Sequence, residues 1–150
     1  MLKLSRKTLL ALEAVIDIAF NARPEPVQAK EITARQGVPQ RYLEQVMQQL
    51  VHAGILKGVR GPRGGYRLAK ERRRISVGDI VRAAELADDE NAEEAPPQSA
   101  LGLLIVAPFV QSLQQEVLER LDGITVEDLC QQAREAGVAC GEHTSADFAI

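Results

Sequence analysis

Arg41, Glu44, Gln45 and Gln48, with Gln40 beside them, fall on one side of a helix when spaced three and four residues apart. An arginine fork pairs with guanine O6 and N7, a glutamine amide with adenine, and a carboxylate accepts from cytosine N4. A second set stands further along, where Arg60 and Arg63 flank Gly61-Pro62. That run holds two guanidinium groups at a narrow tip. Arginine in a minor groove responds to its width and its negative potential. The following glycines let the backbone approach phosphates closely. The plainer readings are a solvated helix face and a hairpin that needs glycine to turn.

Other reactive residues are few. Cys130, Cys140 and His143 make a Cys-x9-Cys-x2-His spacing that fits no standard zinc pattern. Cys130 follows Leu129 on the apolar side of a short helix, where cysteine usually packs as a small hydrophobe. His52 reads as a phosphate neighbour or a surface residue. With two Cys and two His, one chain has no three-cysteine or multi-histidine site. No phosphate loop, nucleophile elbow or pair of catalytic carboxylates occurs, so an enzyme is not expected.

The elements that must position these side chains follow from periodicity. Leu9, Leu12, Val15, Ile16, Ala19 and Phe20 recur every three to four residues and predict a helix over 5–21 with Ser5 as N-cap. Arg23-Pro24-Glu25-Pro26 breaks it. A short helix over 29–36 ends at Gly37, and Pro39 suits the first turn of a third helix. Tyr42, Leu43, Val46, Met47 and Leu50 form that helix's apolar face, and Gly54 ends it. The period then changes. Residues 55–60 and 66–69 read as two strands joined by Gly61-Pro62-Arg63-Gly64-Gly65. Three helices and a two-stranded wing make a winged helix-turn-helix. Ser76-Val77-Gly78-Asp79 caps a fourth helix. Leu101, Leu104, Ile105, Phe109, Leu113, Val117 and Leu121 give a long apolar stripe, in which Pro108 would kink the helix or start a new one. Gly123 stops it, and Thr125-Val126-Glu127-Asp128 caps a last helix to about residue 136.

Charge divides the 150 residues. Residues 1–83 hold 16 Lys/Arg against 7 Asp/Glu, a net of +9. Residues 84–150 hold 2 against 14, a net of −12. This suggests a basic domain joined to an acidic one, the basic half suited to a polyanion. Residues 85–94 carry six acidic groups and no basic one, and with Pro96-Pro97 read as an exposed, mobile loop. At 45% apolar and 26% charged the composition is that of a globular protein. No stretch reaches the roughly 20 apolar residues of a membrane span, and the first residues lack a secretory h-region. A cytoplasmic protein without membrane partners is expected.

Several runs resemble one family. They are Ile32-Thr33-Ala34-Arg35-Gln36-Gly37-Val38, Tyr42-Leu43-Glu44-Gln45, and above all Val59-Arg60-Gly61-Pro62-Arg63-Gly64-Gly65-Tyr66. Ile75-Ser76-Val77-Gly78-Asp79-Ile80 and Gly123-Ile124-Thr125-Val126-Glu127-Asp128-Leu129 follow them. Together they are similar to the Rrf-two (Rrf2; IscR-like, BadM-type) family of bacterial winged helix-turn-helix transcription regulators, over about residues 4–130. The resemblance implies a homodimer on double-stranded operator DNA, joined through the long C-terminal helix. It also implies a wing arginine in the minor groove. By motif match these roles fall on Arg60, and on Pro39, Arg41 and Glu44. Ser5, Lys7, Gln40, Gln45, Gln48 and Arg63 complete the expected DNA-contacting set. Cluster-binding members carry three cysteines before the dimer helix and a histidine near its start. Here residues 85–100 hold no Cys or His, and Leu104 and Ala107 stand near the last two ligand places. Thiolates hold such clusters by direct bonds, so no family-typical iron–sulfur cluster, cofactor or metal is expected.

The sequence thus predicts a mainly α protein: a winged helix-turn-helix with a two-stranded wing plus a long dimerisation helix. The segments are 1–83 for DNA binding, 84–100 for the acidic loop, 101–136 for the dimerisation helix and a short last helix, and 137–150 as tail. The expected function is a sequence-specific repressor. Its alternatives are a protein-interaction module on the same fold and a regulator with an atypical metal or redox sensor. The effector, a small molecule or partner protein, is unassigned. Steep loss of affinity with salt would mark the DNA binder.

Overall fold

Ser5 opens the first helix, α1 (Arg6–Phe20), by accepting the Thr8 N–H on its Oγ at 3.2 Å. The computed structural model describes residues 4–86 and 97–138. Leu10, Ala11, Ala14, Val15 and Ile18 bury the inner face of α1. α2 (Ala29–Gln36) spans the residues its spacing predicts. Its N-cap is Gln28, whose N–H donates to Glu31 Oε2 at 2.7 Å, and Gly37 ends it at φ +67°. α3 (Gln40–His52) begins one residue later than expected, because Pro39 serves as its cap rather than as a first-turn residue. Leu43, Val46, Met47 and Leu50 close against α1 and Ile32.

The wing pairs β1 (Leu56–Val59) with β2 (Gly65–Leu68), antiparallel. Leu56 opposes Leu68, Lys57 opposes Arg67, Gly58 opposes Tyr66, and Val59 opposes Gly65. A third short pairing was not legible in the sequence. Val27 exchanges both backbone bonds with Tyr66, at 3.0 and 2.8 Å. It thereby stitches the α1–α2 connection to the wing. The approach demands glycine next door: a Cβ on Gly65 would lie 2.4 Å from the Val27 carbonyl oxygen.

After a single 3-10 turn at Arg72–Arg74, α4 (Val77–Leu86) starts from a reciprocal cap. Ser76 Oγ accepts the Asp79 N–H at 3.0 Å, and Asp79 Oδ2 accepts the Ser76 N–H at 3.1 Å. α4 ends at Leu86, within a residue of the end near Glu85 that its cap and spacing predict. The core of the acidic loop, residues 87–96, and the tail beyond 138, with Cys140 and His143, lie outside the described residues.

Helix resumes at residue 100 and leads into α5 (Ala107–Asp122) through a π-helical stretch, Gly102–Val106. Pro108 therefore neither breaks the helix nor begins it. Proline has no N–H to give the carbonyl four residues back and its ring collides with that group. Widening the preceding turns relieves both, and Ala107 N–H reaches back five residues to Gly102 O. α6 (Val126–Glu135) ends the described chain, capped by Thr125 and Asp128 as Ser76 and Asp79 cap α4.

The charge division does not divide the core. Val126 and Cys130 of the acidic half are fully buried in the same cluster as Leu10, Leu43 and Ile80 of the basic half. A short antiparallel bridge joins Ser76 to Thr125. In it Val77 N–H donates to Ile124 O at 2.8 Å, and Val126 N–H to Ile75 O at 2.9 Å. Beside it Arg82 grips Asp122 in a two-pronged pair at 2.6 and 2.8 Å. That grip requires Gly78, since a Cβ there would stand 2.0 Å from Asp122 Oδ1.

Candidate nucleic-acid interface

The buried residues of α3 fix which of its side chains look outward. Leu43, Val46, Met47 and Leu50 are sunk in the core, so Arg41, Gln45 and Gln48 stand exposed on the opposite face. Gln40 and Glu44 are engaged with each other, the amide Nε2 donating to Glu44 Oε1 at 3.0 Å. Glu44 is half-buried and close to the wing. Burial, and then the Glu44 charge, raise the pKa of the Tyr66 hydroxyl. α3 and the wing therefore approach each other at Glu44 and Tyr66.

At the wing tip Gly64 N–H donates to Gly61 O at 2.9 Å, closing a turn with Pro62 at its second position. Arg60 and Arg63 project there, both exposed. The start of α1 comes to the same side. Arg6, Leu9, Pro39 and Tyr42 line a cleft between α1 and the α2–α3 turn. Ser5 and Lys7 do not line it, and Ser5 spends its hydroxyl on the α1 cap, bonding Thr8 N–H and Thr8 Oγ1. Lys7 is half-buried, and Arg6, which sequence reasoning passed over, stands exposed and lines this cleft.

The unit is held by charge pairs that sequence reasoning also missed. Asp17, on the buried side of α1, accepts Arg35 Nε at 2.9 Å and Nη2 at 2.6 Å, and Gln36 Nε2 at 3.0 Å. These bonds tie the end of α2 to α1 directly before the turn that launches α3. Arg23 Nη2 donates to both Glu31 oxygens at 2.7 and 2.8 Å. Burial opposes the Glu31 charge, but Arg23 and the Gln28 N–H outweigh it and hold the carboxyl below its usual range. Arg23, Arg35, Arg72 and Arg82 are thus committed to carboxylates. Arg41, Lys57, Arg60, Arg63, Arg67, Lys70, Arg73 and Arg74 stand exposed and set the positive field of this half.

The expected dimer stripe divides. Leu101, Leu103, Leu104, Ile105, Val106 and Phe109 are 51–72% exposed, and Val117 is exposed as well. Leu113 and Leu121 are half-buried. Leu103 and Val106 were absent from the expected stripe, because its period assumed regular α-turns through Gly102–Val106. Burial pushes the Cys130 thiol up, against the lowering influence of Arg72. It sits as a core side chain. Among the described residues no three His, Cys, Asp or Glu converge as metal ligands, and no helix is long and apolar enough to cross a membrane.

Known proteins share this architecture. The Rrf2 family profile, described as an iron-dependent transcriptional regulator, matches residues 4–132. A Synechocystis protein named as an HTH-type transcriptional regulator, slr0846, is 33% identical over 94% of this chain and 96% of its own. The solved structure of T. potens IscR superposes with a TM-score of 0.71 at 35% identity, covering 95% of this chain and 96% of that one. The structure of CymR, the global cysteine regulator of B. subtilis, gives a TM-score of 0.66 at 31% identity, over 88% of this chain and 98% of that one.

Proposed function

The chain belongs to the Rrf2 family of DNA-binding transcription regulators, and from that membership we propose that it acts in the cytoplasm as a homodimeric repressor that catalyses no reaction. Each protomer reads one operator half-site, through residues 1–83, and the long helix that starts near residue 101 joins the two. The observation that supports this reading is the exposure of Arg41, Gln45 and Gln48 on the outer side of α3 and of Arg60 and Arg63 at the wing tip, with Glu44 of α3 close enough to Tyr66 of the wing for its charge to act there. A helix fills a major groove and a narrow arginine tip fills the minor groove beside it. The exposed apolar surface over residues 101–109 supports the dimer, because a monomer rarely leaves such a patch in water.

The residues present do not fit a family-typical iron–sulfur cluster. Such a cluster needs thiolates. Segment 85–100 has none, and Cys130 is closed inside the core. The protein therefore binds DNA without iron, and a signal enters through the dimer helices or a partner. The family's description as iron-dependent favours one second reading, an atypical sensor with mixed ligands.

Selection of bound fragments from genomic DNA, followed by sequencing, tests the function. Recovery of a pseudo-palindromic site is expected, and random recovery would sink it. An anaerobic preparation should be colourless and titrate the operator without iron. Stoichiometric iron and sulfide, with affinity that depends on them, would establish the second reading. Arg60→Ala should weaken operator binding by about 1–3 kcal/mol, the scale of one specific contact. The fold should not change, because a tip arginine supports no core. Equal affinities would remove the wing from the mechanism.

A further inference from the structure

The wing carries a charge arrangement that weakens it in isolation. Lys57 and Arg67 face each other across the β1–β2 ladder, and both are exposed. Directly opposed residues of an antiparallel pair have Cβ atoms about 5 Å apart on one sheet face, where like charges repel. Arg67 is steadied by donating Nη2 to the Pro24 carbonyl, which fixes the guanidinium without neutralising it. Lys57 and Arg67 appear in none of the ion pairs formed among the described residues.

Position says what could offset the repulsion. Buried Leu56 and half-buried Leu68 and Tyr66 occupy the inner sheet face, so Lys57 and Arg67 project from the outer one. Arg60 stands three residues nearer the tip, and strands rise ~3.3 Å per residue, which sets the pair about 10 Å behind it. A minor groove is roughly 7.5 Å deep. With Arg60 in the groove, the pair stands at the rim, level with the backbone and beyond reach of the bases.

We propose that Lys57 and Arg67 form a phosphate clamp, which takes a phosphodiester bordering the groove entered by the wing. The bound anion removes the repulsion between the two cations. The clamp rests on the wing reading above, and it adds affinity without sequence preference, since a phosphate carries no base identity.

The test is a titration of the recovered operator and of a scrambled duplex of equal length, at several salt concentrations. Wild type, Lys57→Gln, Lys57→Glu and Arg60→Ala are compared. One phosphate contact contributes roughly 0.9 to the slope of log affinity against log salt, or about eightfold at 0.1 M relative to 1 M. Lys57→Gln should weaken both duplexes by a similar factor, about fivefold to tenfold at 0.1 M salt, and lower the slope by about one. Lys57→Glu should weaken both further. Both variants should melt no lower than wild type, which separates a lost contact from a lost fold. An unchanged slope overturns the clamp, and so does a loss confined to the operator, which would make Lys57 a base reader. Unchanged titrations for Lys57→Glu would overturn it too. Failure of the wing reading is distinguishable, because then Arg60→Ala also binds as wild type does.

Discussion

Leu104→Glu combined with Phe109→Glu will leave the chain folded, monomeric at micromolar concentration, and weaker on its operator by a factor on the order of 10²–10⁴. Both side chains are exposed in the single chain, at 72% and 63%, so the substitutions disturb no packing within a protomer. They lie in a run of six exposed apolar residues on the widened helix and its continuation. Closing a second copy over that run would bury two carboxylates without partners, at several kcal/mol each. The loss on DNA follows from geometry. Once one half-site is held, the linked second module sees its own half-site at an effective concentration of about a millimolar, and that gain disappears with the link. Light scattering and operator titration check both parts. A variant that remains dimeric, or a monomer that binds like wild type, would move the interface elsewhere.

Asp17→Ala will cost about 2–3 kcal/mol of folding stability, a large share of the roughly 5–15 kcal/mol available to a domain. The Asp17 side chain is 2% exposed, while the Arg35 side chain keeps 26%, so water recovers part of the arginine's loss. Four donated bonds vanish together, two from Arg35 and one each from Gln36 and Asn21. The stored geometry goes with them, since Arg35 and Gln36 immediately precede the α2–α3 turn. Denaturant unfolding measures the loss. In a double-mutant cycle with Arg35→Ala the two changes should be non-additive by more than 1 kcal/mol. Additive losses would make the contact incidental.

The helix ends were legible because their signals are local. Ser5, Gly37, Ser76, Gly123 and Thr125 each act within one turn, and each ends or opens the helix its position predicts. The wing was legible for the same reason, since its tip residues and its change of period lie within fifteen residues of one another. What escaped acts at a distance. Val27 pairs with Tyr66 as a single residue from a proline-bracketed loop, which has no period of its own. Asp17 breaks the apolar face of α1, which signals a partner, but Arg35 stands eighteen residues away. Pro108 acts backward on the turns before it, which widen into a π-helical stretch that the spacing of the apolar residues does not announce. Among the expected DNA contacts, Arg41, Gln45, Gln48, Arg60 and Arg63 stand free of the core. The cap bond made by Ser5 and the Gln40–Glu44 pair depend on coordinates that residue type alone does not carry.

The bridge between Ser76 and Thr125 makes half-site spacing an energetic matter. α4 and α6 spring from one pair of hydrogen-bonded segments, and the Arg82–Asp122 grip ties the end of α5 to the same place. Among the described residues these contacts couple α5, the helix proposed to join the two protomers, to the helices that seat α3. One base pair added between half-sites turns the second by about 35° around the duplex axis and shifts it by about 3.4 Å. A looser joint would absorb that screw motion inside the protein. With this one, a protein that binds as the proposed dimer would force the DNA to untwist, or one of its two α3 helices to let go.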